Sequence, residues 1–272
     1  MTGSRIARQW LLPLLFAVFA AGAHAQTAEV PGYQPYIGQT GKDVVWVPSP
    51  QALVDKMLDM AMVTPADFVM DLGSGDGITV IAAAKRGVCA LGVEYNPDMV
   101  ALSRRNAAAA GVSDRATFIE ADIFETDLSR ASVITLFLLP ELNLKLRPEI
   151  LKLKPGTRIV SNSFRMGDWD PDETSELGCS TYCSAFLWLV PARVEGDWTL
   201  EQGVLRLTQN YQKLGGTLKS GNTMVPIAGG SLRGDDISFS AGSAEYRGKV
   251  ATDEIKGTVT SGGKTTAFSA RR

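Results

Sequence analysis

Residues 69–77 read VMDLGSGDG, an apolar run that ends in an aspartate and passes into three glycines spaced by Ser74 and Asp76. Glycines at such a place let a strand turn sharply into a helix while the backbone comes close to a ligand, and the helix start offers unpaired N–H groups. Glu94 stands seventeen residues beyond Gly77 at the end of a second apolar run, where a carboxylate can accept two ribose hydroxyls. Asp122, in EADIF, ends a third run and is placed to accept an adenine amino group. Singly, each acid is more often a capping or solvated residue. At the carboxyl edges of consecutive strands, beside a topological switch point, they read together as a nucleoside site.

Two cofactor classes use a turn of this kind. The dinucleotide fingerprint G-x-G-x-x-G requires a third glycine where Ile78 stands. Asp71 and Asp76 would also repel a pyrophosphate, yet they suit a ligand carrying an ammonium and a sulfonium. S-adenosyl-L-methionine carries both.

The elements that must hold these residues follow from the hydropathy pattern. Ser49 is a plausible helix N-cap with Pro50 at the first helical position, and Leu53, Met57, Leu58 and Ala61 make an apolar stripe. Strand-like runs at Phe68–Leu72, Ala90–Val93, Thr117–Ile119, Val133–Leu139 and Arg158–Ser161 alternate with helical segments, one opened by Asn96-Pro97 and closed by Gly111. This alternation predicts an α/β, Rossmann-like doubly wound sheet over residues 46–193. Residues 26–45 are polar, carry Tyr33 and Tyr36, and read as an N-terminal arm ordered by docking. Of 27 glycines, 13 fall from Gly196 onward and punctuate short alternating runs, which predicts a small antiparallel all-β domain over 194–272, a sandwich or barrel of about six to eight strands. Trp198 and Tyr211 are expected in its core.

Arg5 and Arg8 precede an apolar run from Trp10 to Ala21, and Ala23-His24-Ala25 then supplies the A-x-A pattern of a cleavage site. Residues 1–25 are therefore expected to be a signal peptide, and the mature protein to be exported, in a periplasm-like compartment, with no membrane span left. Cleavage after Ala25 removes two arginines and no acid, moving the formal net charge from −2 to −4, and removes His24, the single histidine. Triad hydrolases, Cys-His pairs and His-containing zinc sites are then excluded, and Cys89, Cys179 and Cys183 are too few for a Cys₄ site, so no metal is expected. Cys89 reads as inert core. Cys179 and Cys183 have a spacing compatible with a short disulfide or with two thiols. The near balance of 27 basic and 29 acidic residues gives no field to hold a nucleic-acid backbone.

The chain resembles the class I, seven-β-strand S-adenosylmethionine-dependent methyltransferases, with DLGSGDG, GVEYNP and EADIF as successive motifs. Over residues 44–168 the segments VWVPSPQALVDKMLDMA, AAAKRG, GVEYNPDMVALSRRNA and FLLPELNLKLRP look like the mitochondrial protein-lysine methyltransferases that modify the ADP/ATP carrier and the ATP synthase c-ring protein, and their bacterial relatives. The resemblance implies that Trp46, Val47, Pro48, Ser49 and Pro50 help close the cofactor pocket. It adds Gly73, Ser74, Gly75, Tyr95, Asn96 and Ile123 to Asp71, Glu94 and Asp122 as cofactor-binding residues. The acceptor is expected to be a protein lysine, another protein group or a small molecule, entering at the fourth strand's edge with Glu141 and Asn143 as candidate catalytic groups. Ser161, Asn162, Ser163 and the MGDW of 166–169 could line the same entrance.

Two departures stand against this pattern. FLLPELN replaces the N-P-P-[YF] of amino-methyltransferases acting on adenine or glutamine, and neither the leader nor the β-rich tail belongs to the mitochondrial enzymes. The competing expectation is an exported, non-catalytic binding or envelope protein that retains a methyltransferase-like fold.

Overall fold

The computed structural model of the chain describes residue 1, residues 32–178 and residues 181–272. The expected leader beyond Met1, the first part of the arm and Cys179 lie outside the described residues. Cys183 is disulfide-bonded and Cys89 is a free thiol.

α1 (Gln51–Met60) leads into β1 (Phe68–Leu72), α2 (Ile78–Lys85), β2 (Cys89–Glu94), α3 (Pro97–Ala109), β3 (Ala116–Glu120), β4 (Val133–Leu136), α4 (Pro140–Ile150) and β5 (Arg158–Asn162). The five strands are parallel in the order β3-β2-β1-β4-β5. The chain runs outward through β2 and β3, then returns to the other side of β1, so the switch point lies between β1 and β4. Val69, Leu72, Val133, Ile134, Leu136 and Ile159 are buried on both faces, which is why these strands read as continuous apolar runs.

Three local expectations change. α1 begins at Gln51 with Pro50 as its cap residue, and the Ser49 hydroxyl instead receives the Asn162 side-chain amide at 3.2 Å. The run Val133–Leu139 divides: β4 stops at Leu136, and Phe137, Leu138 and Leu139 leave the ladder. Cys89 opens β2 exposed, so it is not core. Asn96 does cap α3, its side-chain oxygen accepting the amides of Asp98 and Met99.

Beyond β5 the sheet continues with two strands the periodicity did not reveal. β7 (Ser184–Leu189) pairs antiparallel with β5, and β6 (Glu173–Glu176) forms the edge. β7 is buried from Ala185 to Trp188, paired in plane with β5 and β6 and packed against α1.

The tail is a closed antiparallel barrel of eight strands, β8 (Gly196–Leu200), β9 (Gly203–Asn210), β10 (Lys213–Ser220), β11 (Thr223–Arg233), β12 (Asp236–Ala241), β13 (Ala244–Ala251), β14 (Glu254–Ser261) and β15 (Lys264–Arg271). Each pairs with the next, and closure rests on Ala270–Leu200 and Arg271–Thr199 between β15 and β8. Leu205, Leu207, Ile237 and Ile255 point inward with Trp198, and Tyr246 stacks on Phe239 at 4.7 Å and meets the Phe268 edge at 5.2 Å. The barrel interior is thus filled by side chains.

Tyr211 departs from the expected barrel core. It stacks on Trp169 of the other layer at 5.8 Å, and its hydroxyl donates to Asp168 at 3.1 Å. Arg147 reaches the same carboxylate and lies over the Tyr211 ring, Lys213 pairs with Asp170, and the Ala192 amide donates to the Gly234 carbonyl. MGDW therefore serves the junction with the barrel: Met166 and Trp169 are fully buried.

Candidate active site

The β1–α2 turn sets the geometry. Gly73, Gly75 and Gly77 have φ of 79°, 53° and 85°, the left-handed region that glycine alone enters without cost. A Cβ on Gly75 would stand 3.0 Å from the Trp46 indole nitrogen, and one on Gly77 2.8 Å from the Phe118 ring. The Gly73 and Ser74 amides both donate to the Val93 carbonyl at 2.9 and 3.1 Å, binding the turn to the end of β2. Glu94 completes the brace: one carboxylate oxygen accepts the Gly75 amide and the other the Asn96 amide, each at 2.9 Å.

Asp71 lies at the end of β1 and is 7% exposed. The Thr135 hydroxyl of β4 donates to it at 2.5 Å. Burial pushes its carboxyl up to about 7; the Thr135 hydroxyl opposes that rise, while the Asp76 and Glu94 carboxylates add to it. Burial also raises Asp76, against the Ile78 amide that its carboxylate accepts.

The arm folds over this turn as a tight hairpin. Gly38 donates to the Trp46 carbonyl and Trp46 to the Gln39 carbonyl, both at 2.9 Å, and Gly41 donates to the Val44 carbonyl. At its tip the Lys42 ammonium sits 2.6 Å from Asp122 and 4.3 Å above the Tyr95 ring. The second oxygen of Asp122 accepts the Phe124 amide at 2.9 Å. Lys42 first, then Phe124, holds the Asp122 carboxyl below its ordinary value. Both Asp122 oxygens therefore already have a donor.

These pieces enclose a cleft of about 440 Å³, within the range of small-molecule sites. Every residue expected to bind the cofactor lines it: Trp46, Pro48 and Ser49 from the arm, Asp71, Gly73, Ser74 and Gly75 from the first turn, Glu94, Tyr95 and Asn96 after β2, and Asp122 and Ile123 after β3. The wall after β4 and β5 and before β7 comes from Leu138, Leu139 and Leu142 and from three rings, Phe137, Phe164 and Tyr182. Sequence reasoning missed these rings and Lys42.

The expected catalytic pair is placed elsewhere. Glu141 is exposed in the first turn of α4, and Asn143 is fully buried; neither lines the cleft. The Asn143 side-chain amide donates to the carbonyls of Phe164 and Arg165 at 3.3 and 3.4 Å, so it anchors the segment that carries Phe164. Ser161, Asn162 and Ser163 also fall outside the lining; the Asn162 amide holds Ser49.

The donor set fits S-adenosyl-L-methionine. Acids face the glycine turn, Glu94 stands at the end of β2, and Lys42, the one cation in the lining among the described residues, is paired with Asp122, leaving little to attract a pyrophosphate. Among the described residues no three His, Cys, Asp or Glu are grouped to hold a metal ion, and no helix is long and apolar enough to cross a membrane. A crystal structure described as an RNA methyltransferase from Salinibacter ruber in complex with S-adenosyl-L-homocysteine superposes with a TM-score of 0.52 and 45% identity, covering 54% of this chain and 96% of that one. Fold and site together define a class I methyltransferase whose cofactor is S-adenosyl-L-methionine.

Sequence relatives narrow the class. Residues 71–173 match the family model of the ANTKMT methyltransferase domain. A protein-lysine N-methyltransferase of Saccharolobus islandicus is 43% identical over 137 residues, which are 49% of this chain and 85% of that protein. The Mus musculus lysine N-methyltransferase named for the C subunit of ATP synthase is 38% identical over 114 residues, 42% of this chain and 46% of that protein, so the chain spans about half the mouse relative. The chain belongs to the family of these S-adenosylmethionine-dependent protein-lysine methyltransferases.

Proposed function

We propose that the protein methylates the side-chain amine of a lysine in a protein substrate. The observation that carries this reading is the division of the cleft: apart from Asp43 of the hairpin, its acids lie on the β1, β2 and β3 side, and its opposite wall, after β4 and β5 and before β7, is leucine and aromatic. Relatives named for lysine methylation support it. S-adenosyl-L-methionine, when bound, supplies an electrophilic methyl group on a sulfonium, and its transfer leaves a neutral thioether.

The chain's own groups then have separable tasks. Asp71, beside the turn, holds the amino-acid end, and Glu94 holds the ribose while it braces Gly75. The arm hairpin excludes water from above. At the acceptor end the apolar wall strips water from the incoming amine, and desolvation lowers an ammonium's pKa, so a free lone pair becomes available without a dedicated base. Alignment and desolvation supply what this displacement needs.

The test is transfer of labelled methyl from S-adenosyl-L-methionine to lysine-rich protein, followed by acid hydrolysis and amino-acid analysis. Label in methylated lysine, reduced in Glu94→Ala at limiting S-adenosyl-L-methionine, supports the reading. Label recovered in RNA and absent from protein would sink it in favour of the activity for which the Salinibacter structure is described.

The leader pattern of residues 5–25 and the disulfide at Cys183 support a second element of the proposal, that the mature protein acts outside the cytoplasm, where disulfides persist.

A further inference from the structure

We propose that Phe137, Phe164 and Tyr182 form an aromatic seat for the alkylammonium group of the acceptor, one that holds the group more firmly as methyl groups accumulate on it; this rests on the lysine reading above. The three rings come from three separate segments, after β4, after β5 and before β7, yet they converge on one another. Phe137 meets Tyr182 edge-on at 5.2 Å, Phe164 lies 6.0 Å from Tyr182, and Phe137 and Phe164 are stacked at 6.1 Å. All three line the cleft.

Their position in the sheet assigns the role. The ribose and amino-acid carboxylates lie over β1, β2 and the segment after β3, and β4 is the next strand across the switch point. An acceptor approaching the transferable methyl from beyond the cofactor therefore passes over β4, β5 and β7, where the rings stand. No lining carboxylate comes from those segments, so the groups a cation meets there are these rings and the leucines beside them. Ring faces attract ammonium groups, and a quaternary ammonium, with no N–H to lose from water, suits them best.

The backbone around the wall supports a dedicated site. Five non-glycine residues among the described ones have φ in the left-handed region, and two of them, Ser163 (59°) and Tyr182 (54°), belong to it or precede its Phe164. Such strain concentrates at ligand-binding segments. Asn143, buried at 0% exposure, is spent on fixing the carbonyls of Phe164 and Arg165.

The experiment titrates the full protein, saturated with S-adenosyl-L-homocysteine, with Nα-acetyl-trimethyllysine amide and with its neutral isostere bearing a tert-butyl group in place of trimethylammonium. The cation is expected to bind about two- to fivefold tighter than the isostere. Phe164→Leu and Tyr182→Leu, which keep apolar volume, should each erase that preference while S-adenosyl-L-homocysteine still binds. In turnover the same variants should shift product from trimethyl-lysine toward monomethyl-lysine. Equal binding of cation and isostere, or a preference that survives both variants, overturns the proposal. So does a single-stranded RNA that displaces both ligands and depends on the same rings, since base stacking would then be their role. Failure of the wild type to bind S-adenosyl-L-homocysteine overturns the proposed function itself, which separates the two.

Discussion

One oxygen of Glu94 accepts the Gly75 amide at 2.9 Å, so the carboxylate proposed to hold the ribose also fixes the glycine turn. Glu94→Ala removes both roles and should weaken cofactor binding by about 1–3 kcal/mol, the range for a charged hydrogen-bonding partner. Glu94→Gln keeps an acceptor for one amide and should fall between alanine and wild type by calorimetric titration. An alanine variant with wild-type affinity would show that the ribose lies elsewhere.

Asp71 predicts a pH dependence. Its carboxyl is raised in the fold from 3.8 to about 7, so the stability it contributes is fully present below the unfolded value and is lost as pH rises through the folded one. A bound cation favours the ionised form and should drive the proton off. Titration with S-adenosyl-L-methionine at pH 6, in buffers of different ionisation enthalpy, should therefore report release of close to one proton, and Asp71→Asn should abolish it. The neighbouring carboxylates Asp76 and Glu94 act on Asp71 in the same upward sense, so Glu94→Gln should retain the release at a lower pH. Heats independent of buffer would refute the assignment.

The hairpin latch should be visible in kinetics. Lys42 and Asp122 are exposed enough that their pairing adds little to fold stability, but their contact spans the cleft. Lys42→Met should speed cofactor dissociation severalfold in stopped-flow displacement, and added salt should bring the wild type toward the variant. Identical off-rates at low salt would mean the arm does not close over the cofactor.

Tyr211 joins barrel and sheet through Trp169 and Asp168. Tyr211→Ala should destabilise the protein by about 2 kcal/mol, the lost stacking and burial of one partly buried ring. Urea unfolding followed separately by barrel and sheet tryptophans should lose coincidence. A single unchanged transition would show that other contacts carry the junction.

The proposed export makes a direct prediction. Protein recovered from outside the inner membrane should begin at Gln26, as read by N-terminal sequencing; a retained Met1 would contradict the leader.

That the residues expected at the cofactor line one cleft was legible because they are local. A single turn brings Asp71 to Gly75 together, and parallel strands with right-handed crossovers carry Glu94 and Asp122 to the same edge. The aromatic wall was hidden because its members meet only through strand order. Phe137 sits in an apolar run that reads as core, and Phe164 and Tyr182 are single rings in irregular segments. Nothing in a periodicity announces that β7 inserts between β5 and β6. Lys42 and Asp122 are 80 positions apart, with only an arm of polar residues to suggest docking. Glu141 and Asn143 were chosen from the right edge, but the turn of α4 sends one to solvent and the other beneath the wall. Tyr211 misled because alternation assigns a face within the barrel and says nothing of a residue at a turn.

The barrel's closure has a mechanical consequence. β14 and β15 are paired along their whole length, from Glu254–Arg271 to Ser261–Lys264, whereas β15 meets β8 only at Ala270–Leu200 and Arg271–Thr199. Local opening begins where the least must be broken, so this seam unbuttons before any hairpin melts. An unbuttoned barrel is a curled ribbon with two free edges, and free edges seek strands. Concentrated protein under mild heat should therefore associate through β8 and β15, exchanging them between copies, long before the methyltransferase sheet gives way.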